Sequence, residues 1–186
     1  MIANRHIIAG LLLLITTGSF GQKTFYKRHF FTGYIVKNSG DTLFGRIRYQ
    51  QNFEHVIRYI PDSSEFQRPV RINPLDVKSL KINKDILDKV DVDGKAKMLQ
   101  RVASGFYQLY AYQYMKGETP ENHYILVLKT GNVRIADYNF DELIETYVFD
   151  CPYLKQKISE RELTFEHTID IFRYYNRWRE NQKLSF

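Results

Sequence analysis

The residues with the clearest capacity for chemistry are few. Lys89-Val-Asp91-Val-Asp93-Gly94 resembles the start of a calcium loop. Such a loop requires an oxygen ligand at its first position and a bidentate Glu at its twelfth, and here Lys89 and Gln100 stand there. Asp93-Gly94 therefore reads as a hairpin turn, and no metal is assigned. The single cysteine, Cys151, and His167 fall on neighbouring predicted helices, where a thiol and an imidazole could act as nucleophile and base. A small apolar residue in the core is the competing reading of Cys151. His6, His29, His55, His123 and His167 are scattered without the spacing of a zinc site. Asp141 with Glu145, and Glu160 with Glu162, read as helix-terminus charges rather than a glycosidase dyad.

Aromatic side chains are the other resource. They make up 15% of the chain, with 14 Tyr and 13 Phe, more ring area than a minimal core requires. Along residues 106–115 strand alternation puts Phe106, Tyr110, Tyr112 and Tyr114 on one side. These four are the candidate ligand-binding residues, for an envelope protein, a glycan or a peptide. There is no G-x-S-x-G elbow and no G-x-x-x-x-G-K loop, so neither a serine hydrolase site nor a cofactor is implied.

The elements that must position these residues begin after an export signal. Arg5, an apolar run over residues 7–15 and the small residues Ser19 and Gly21 make residues 1–21 a secretory signal peptide, cleaved before Gln22. The run is shorter than the roughly 20 apolar residues that a spanning helix needs, so no transmembrane segment is expected in the mature chain. Arg5 is the only charge lost, leaving 26 basic and 21 acidic residues, a net +5. That modest excess is compatible with a weak preference for anionic surfaces such as lipid phosphates or acidic polysaccharide, and ordinary solubility charge is the stronger reading of it. Arg46-Ile-Arg48-Tyr49 and Arg173-Tyr-Tyr-Asn-Arg177-Trp178 interleave basic and aromatic residues, but export argues against a nucleic-acid partner. With one cysteine no intrachain disulfide can form, and stability must come from packing.

The 165 residues that remain suit a single α+β domain, β-rich over 30–138 and helical over 139–181. Residues 31–37 and 42–49 form a hairpin around Asn38-Ser39-Gly40-Asp41, with Leu43, Ile47 and Tyr49 on the core face and Phe44, Arg46 and Arg48 on the wet one. Gly33 and Gly45 inside these strands point to a bulge or a tight bend, of the kind that lets a small sheet curl. Strands are expected at 56–60, 69–72, 77–82, 84–92, 98–103, 106–115, 124–129 and 133–138. Beyond Tyr138 the period becomes helical. Asn139 can cap a helix over 140–148, Asp150 can cap a second beginning at Pro152, and a third spans about 164–181 with Phe165, Ile169, Phe172, Tyr175 and Trp178 as its apolar stripe. Strands first and helices last predict a curved antiparallel sheet or partial barrel packed against two or three C-terminal helices.

Gly33-Tyr-Ile-Val, then Gly40-Asp-Thr-Leu-Phe-Gly45, with a late Asp150-Cys-Pro-Tyr-Leu-Lys-Gln-Lys-Ile158 and Asp170-Ile-Phe-Arg-Tyr-Tyr-Asn176, resembles a family of exported, functionally uncharacterised proteins of Gram-negative, Bacteroidetes-type bacteria. The resemblance implies a signal peptide, a β-rich body and C-terminal helices, and it adds no catalytic residue. The expectation is thus a periplasmic, outer-membrane-associated or secreted binding module. A hydrolase built on Cys151 and His167, and a structural accessory of an outer-membrane complex docked through the C-terminal helix, are the alternatives.

Overall fold

The computed structural model describes residues 29–49, 56–62, 68–116 and 119–183, without the side chains of residues 114–116, 120 and 183. Residues 1–21, read from their sequence as a leader, together with His55, Ser63 and Ser64, lie outside the described residues. Ten antiparallel strands form one sheet: β1 Phe31–Lys37, β2 Thr42–Arg48, β3 Ile57–Pro61, β4 Val70–Ile72, β5 Val77–Ile82, β6 Asp85–Val92, β7 Lys95–Ala103, β8 Gln108–Lys116, β9 Thr119–Leu128 and β10 Gly131–Ile135. Their spatial order is β10-β9-β8-β7-β6-β5-β1-β2-β3-β4, so the sheet is open, with β10 and β4 at its edges. Helices α1 Phe140–Val148, α2 Pro152–Ser159 and α3 Thr168–Lys183 follow. The α+β architecture expected from the order of periodicities is present, and the sheet is curved but unclosed. Among the described residues no helix is long and apolar enough to cross a membrane.

Local chemistry accounts for the turns. At Asp93-Gly94 both residues have positive φ, 55° and 75°, which a tight two-residue hairpin requires, and Asp91 Oδ1 accepts from Gly94 N at 2.9 Å. The segment resembling a calcium loop is thus the end of β6 and the turn into β7, and the strand expected over 84–92 forms as Asp85–Val92. Gly40 turns the first hairpin with φ 95°.

Register fixes two faces. Ile35 lies opposite Leu80, Leu80 opposite Leu87, and Leu109 opposite Leu126, all on one face of the sheet. Over β7–β10 the three helices cover this face, where Leu109, Leu126 and Ile135 meet Phe140, Ile144, Leu154, Phe172 and Tyr175. Over β1–β7 the same face buries Ile35, Ile47, Ile57, Leu80, Leu87 and Met98 in a cluster to which no described helix contributes, so the curvature of the open sheet encloses them. The opposite face has its own smaller core of Val90, Val92, Leu99, Tyr110 and Ile125. Asn132 Nδ2 of β10 reaches Asp91 O of β6 at 2.8 Å, and Arg134 is ion-paired with Asp93, although β7, β8 and β9 lie between. The two halves of the sheet therefore roll toward opposite faces.

The first roll depends on two glycines. Gly33 and Gly45 are directly opposite one another. A Cβ on Gly33 would sit 1.8 Å from Lys81 O, and one on Gly45 would sit 2.2 Å from Ile60 O and 2.7 Å from the Tyr59 ring. Only a residue without a side chain lets the neighbouring backbones approach this closely.

Helix α3 is fixed by side-chain grips on backbone. Asn176 Oδ1 accepts from Tyr107 N at 2.8 Å and its Nδ2 donates to Tyr107 O at 2.9 Å, so the side chain pairs with the chain as a neighbouring strand would. Arg173 Nε donates to Val102 O at 3.0 Å, at the bulge where the β7–β8 register shifts. The buried side of α3 is Ile171, Phe172, Tyr175 and Asn176, while Phe165, Ile169 and Trp178 pack only partly. The apolar stripe is thus rotated from the expected one, because a buried Asn that satisfies two backbone groups can replace an apolar residue. The caps also differ from expectation. Asn139 makes no cap bond to α1 and instead accepts from Ala136 N and donates to Arg134 O, and Asp150 bonds α3 rather than capping α2.

Two substitutions report on these constraints. Gly45→Ala should lower unfolding free energy by about 2 kcal/mol or more, since a backbone carbonyl cannot retreat as a side chain can. Asn176→Ala should lower it by about 2–4 kcal/mol by stranding the buried Tyr107 N–H and C=O. Urea denaturation of each variant against the parent chain measures both.

Candidate binding surface

The four aromatic residues singled out in the sequence do not form one surface. Tyr110 is 3% exposed, with its hydroxyl 2.9 Å from both Asp88 Oδ2 and Gln108 Oε1. Arg101 Nε donates to the same Asp88 oxygen at 2.7 Å. The phenol is an internal strut, and burial, reinforced by the Asp88 carboxylate, pushes its pKa up to about 12. Tyr112 is half-buried, receives a 2.8 Å bond from Lys97 Nζ and has Arg134 over its ring. Tyr114 shares that face by register, opposite Glu121, and its side chain lies outside the described residues. Phe106 precedes β8 and sits on the helical side, 4.8 Å from the Tyr107 ring with the Arg179 guanidinium 4.7 Å above it. Alternation fails there because β8 starts only at Gln108.

The thiol and imidazole are likewise apart in role. Cys151 is fully buried in the helix–sheet core. His167 spends Nδ1 accepting from Thr164 N at 3.1 Å, and no hydrogen bond joins it to Cys151. Among the described residues no group of three or more His, Cys, Asp or Glu is assembled that could hold a metal ion.

The surface that stands out is the wet face of β1–β5. Alternation puts Phe44, Arg46 and Arg48 of β2 outward, as the sequence predicts, and Phe44 is 62% exposed. Register adds what alternation cannot. Arg48 lies opposite Arg58, and Arg58 lies opposite Arg71 of the edge strand β4, so three arginines occupy one cross-strand row. Arg46 stands opposite Thr32, one step along the face, and a further step brings Lys81, Tyr34 and Phe44 into a row of their own. The Tyr34 and Phe44 rings are 6.0 Å apart.

None of Arg46, Arg48, Arg58, Arg71 or Lys81 has an ion-pair partner among the described residues. Four arginines elsewhere among the described residues are paired with an aspartate: Arg101 with Asp88, Arg134 with Asp93, Arg161 with Asp141 and Arg179 with Asp150. Arg48 Nε is buried and makes no hydrogen bond within the protein. Five cations without an ion-pair partner among the described residues, beside the exposed Phe44 and the half-buried Tyr34, can engage anionic groups through charge-assisted hydrogen bonds and apolar rings through the aromatics.

Sequence reasoning reached Phe44, Arg46 and Arg48 but missed Arg58 and Arg71. The available signal was weak: both lie in short basic strands, and only pairing reveals that they align.

Alkaline titration tests the buried tyrosines. Tyr175, whose hydroxyl donates to Asp150 Oδ1 at 2.8 Å, is also pushed up to about 12, chiefly by burial. The folded chain holds both protons more tightly than the unfolded chain does. Stability from these two groups is therefore complete below about pH 10 and is lost as pH rises toward 12. Phenolate absorbance should show a late-titrating pair that coincides with unfolding, and Tyr110→Phe should remove one member.

Comparison with protein-family models, with curated proteins and with solved structures yields no match, so the functional reading rests on the chain's own geometry.

Proposed function

We propose that this chain is an exported, non-enzymatic binding module of the cell envelope or extracellular space, and that it holds an anionic partner on the wet face of β1–β5. The observation that carries the reading is a set of cations, Arg46, Arg48, Arg58, Arg71 and Lys81, that have no ion-pair partner among the described residues and stand beside Tyr34 and Phe44. The leader pattern at residues 1–21 and the resemblance to exported proteins support the compartment. The excess of 26 basic over 21 acidic residues supports the sign of the partner's charge.

The two alternatives find less support. A thiol hydrolase needs an accessible nucleophile, and Cys151 is fully buried. Docking through α3 needs a free apolar face, and Phe172 and Tyr175 of α3 are already spent on the chain's own sheet.

Expression in a Gram-negative host tests compartment and surface together. The chain recovered from the exported fraction should begin at Gln22 by mass spectrometry. It should sediment with envelope material at low salt and come off as ionic strength approaches about 1 M, where the Debye length is roughly 3 Å. Arg46→Glu with Arg58→Glu should abolish sedimentation. Intact Met1 on cytosolic protein, or unchanged sedimentation of the double variant, would overturn the proposal.

A further inference from the structure

The row Arg48–Arg58–Arg71 is unfavourable within the fold. Like charges directly opposite on antiparallel strands repel, and strands lie only about 4.8 Å apart. A sheet selected for stability alone would place an acid or a threonine in such a row, as this one does when Arg46 stands opposite Thr32. No described acid neutralises the three guanidinium groups, whereas Arg101 and Arg134 on the same sheet each have an Asp. A local conflict with no compensation among the described residues points to a counter-charge supplied from outside.

The spacing of the row says what that counter-charge looks like. Cations recur at about 5 Å across the strands, and Phe44, Arg46 and Arg48 recur at about 7 Å along β2, since alternate residues share a face. The tilted Tyr34–Phe44 pair stands at one end of this grid, and Phe44 offers its ring to solvent. A linear polymer with regularly repeated carboxylates or sulfates matches an ordered row. A lipid surface, whose charges diffuse laterally, would gain nothing from register. An apolar ring platform beside the cations suits the apolar face of a sugar. Resting on the binding role proposed above for this face, we infer that Arg48, Arg58 and Arg71, with Arg46 and Lys81 flanking, take the acidic groups of a linear anionic polysaccharide, and that Phe44 and Tyr34 take one of its sugar rings.

The test is a titration of the purified chain with polygalacturonate, with dextran of matched length and with phosphatidylglycerol vesicles. Polygalacturonate should bind with strong salt dependence and dextran should not. Arg58→Gln with Arg71→Gln should weaken binding by about tenfold or more, the loss expected on removing two charge-assisted contacts. The same variant should keep or raise its thermal midpoint, because it relieves repulsion. Phe44→Ser should weaken binding several-fold and leave the salt slope unchanged. Should the double variant not fold, Arg71→Gln alone on the edge strand decides, and unchanged affinity there overturns the inference. Preference for vesicles overturns it while leaving an anion-binding face in place. Equal binding of dextran, or a lowered thermal midpoint of a double variant that does fold, overturns it as well, and binding to neither anionic probe removes both this inference and the broader reading.

Discussion

Three helices cannot cover both faces of a ten-stranded sheet, so burial of its apolar residues depends on curvature, and curvature depends on where backbones can approach. At Gly33 and Gly45 the approach is close enough that a single Cβ would overlap a neighbouring carbonyl. The roll they permit seals Ile35, Ile47, Ile57 and Leu80 without any helix. At the far end the sheet rolls the other way, closing Leu99, Tyr110 and Ile125 beneath a clasp between β10 and the β6–β7 turn. The helices are needed only over the outside of that second roll.

The helical layer is joined to the sheet by polar contacts as much as by apolar ones. Asn176 pairs with the Tyr107 backbone, Arg173 satisfies a carbonyl at the bulge, and Asp150 is held by both the Tyr175 hydroxyl and the Arg179 guanidinium. Tyr107 stacks on Tyr175 at 5.5 Å, and Arg179 lies over Phe106 and Trp178. This cluster accounts for several aromatics that, counted by composition alone, suggest a ligand surface. Their energetic role is to orient α3 and the β7–β8 connection against each other, since buried hydrogen bonds specify geometry that apolar contact leaves loose.

The proposed binding face has the opposite character. Where Asp88 and Asp150 pair with arginines at the core's margin, β1–β5 leave cations aligned and without a partner among the described residues. A region whose local choices disagree with stability is where function is expected to reside. The proposal and the fold are connected through β2, which carries core residues Ile47 and Gly45 on one side and Phe44, Arg46 and Arg48 on the other. The glycine that allows the roll thus also sets the shape of the surface on which the cations stand.

Much of this was written in the order of residues. Alternation in β2, the positive-φ turn at Asp93-Gly94, the span of α1 and the switch from strands to helices after Tyr138 follow from local sterics and periodicity, which a linear sequence carries in full. Asn139 and Asp150 were legible as polar residues at helix starts but not in their partners, because a short polar side chain can bond local backbone or distant residues equally well. The place of Phe106 among the helices depended on where β8 begins. The alignment of Arg48, Arg58 and Arg71 depended on the pairing of three strands, and pairing register is set by burial of the opposite face, a property of the assembled sheet and of no single strand within it.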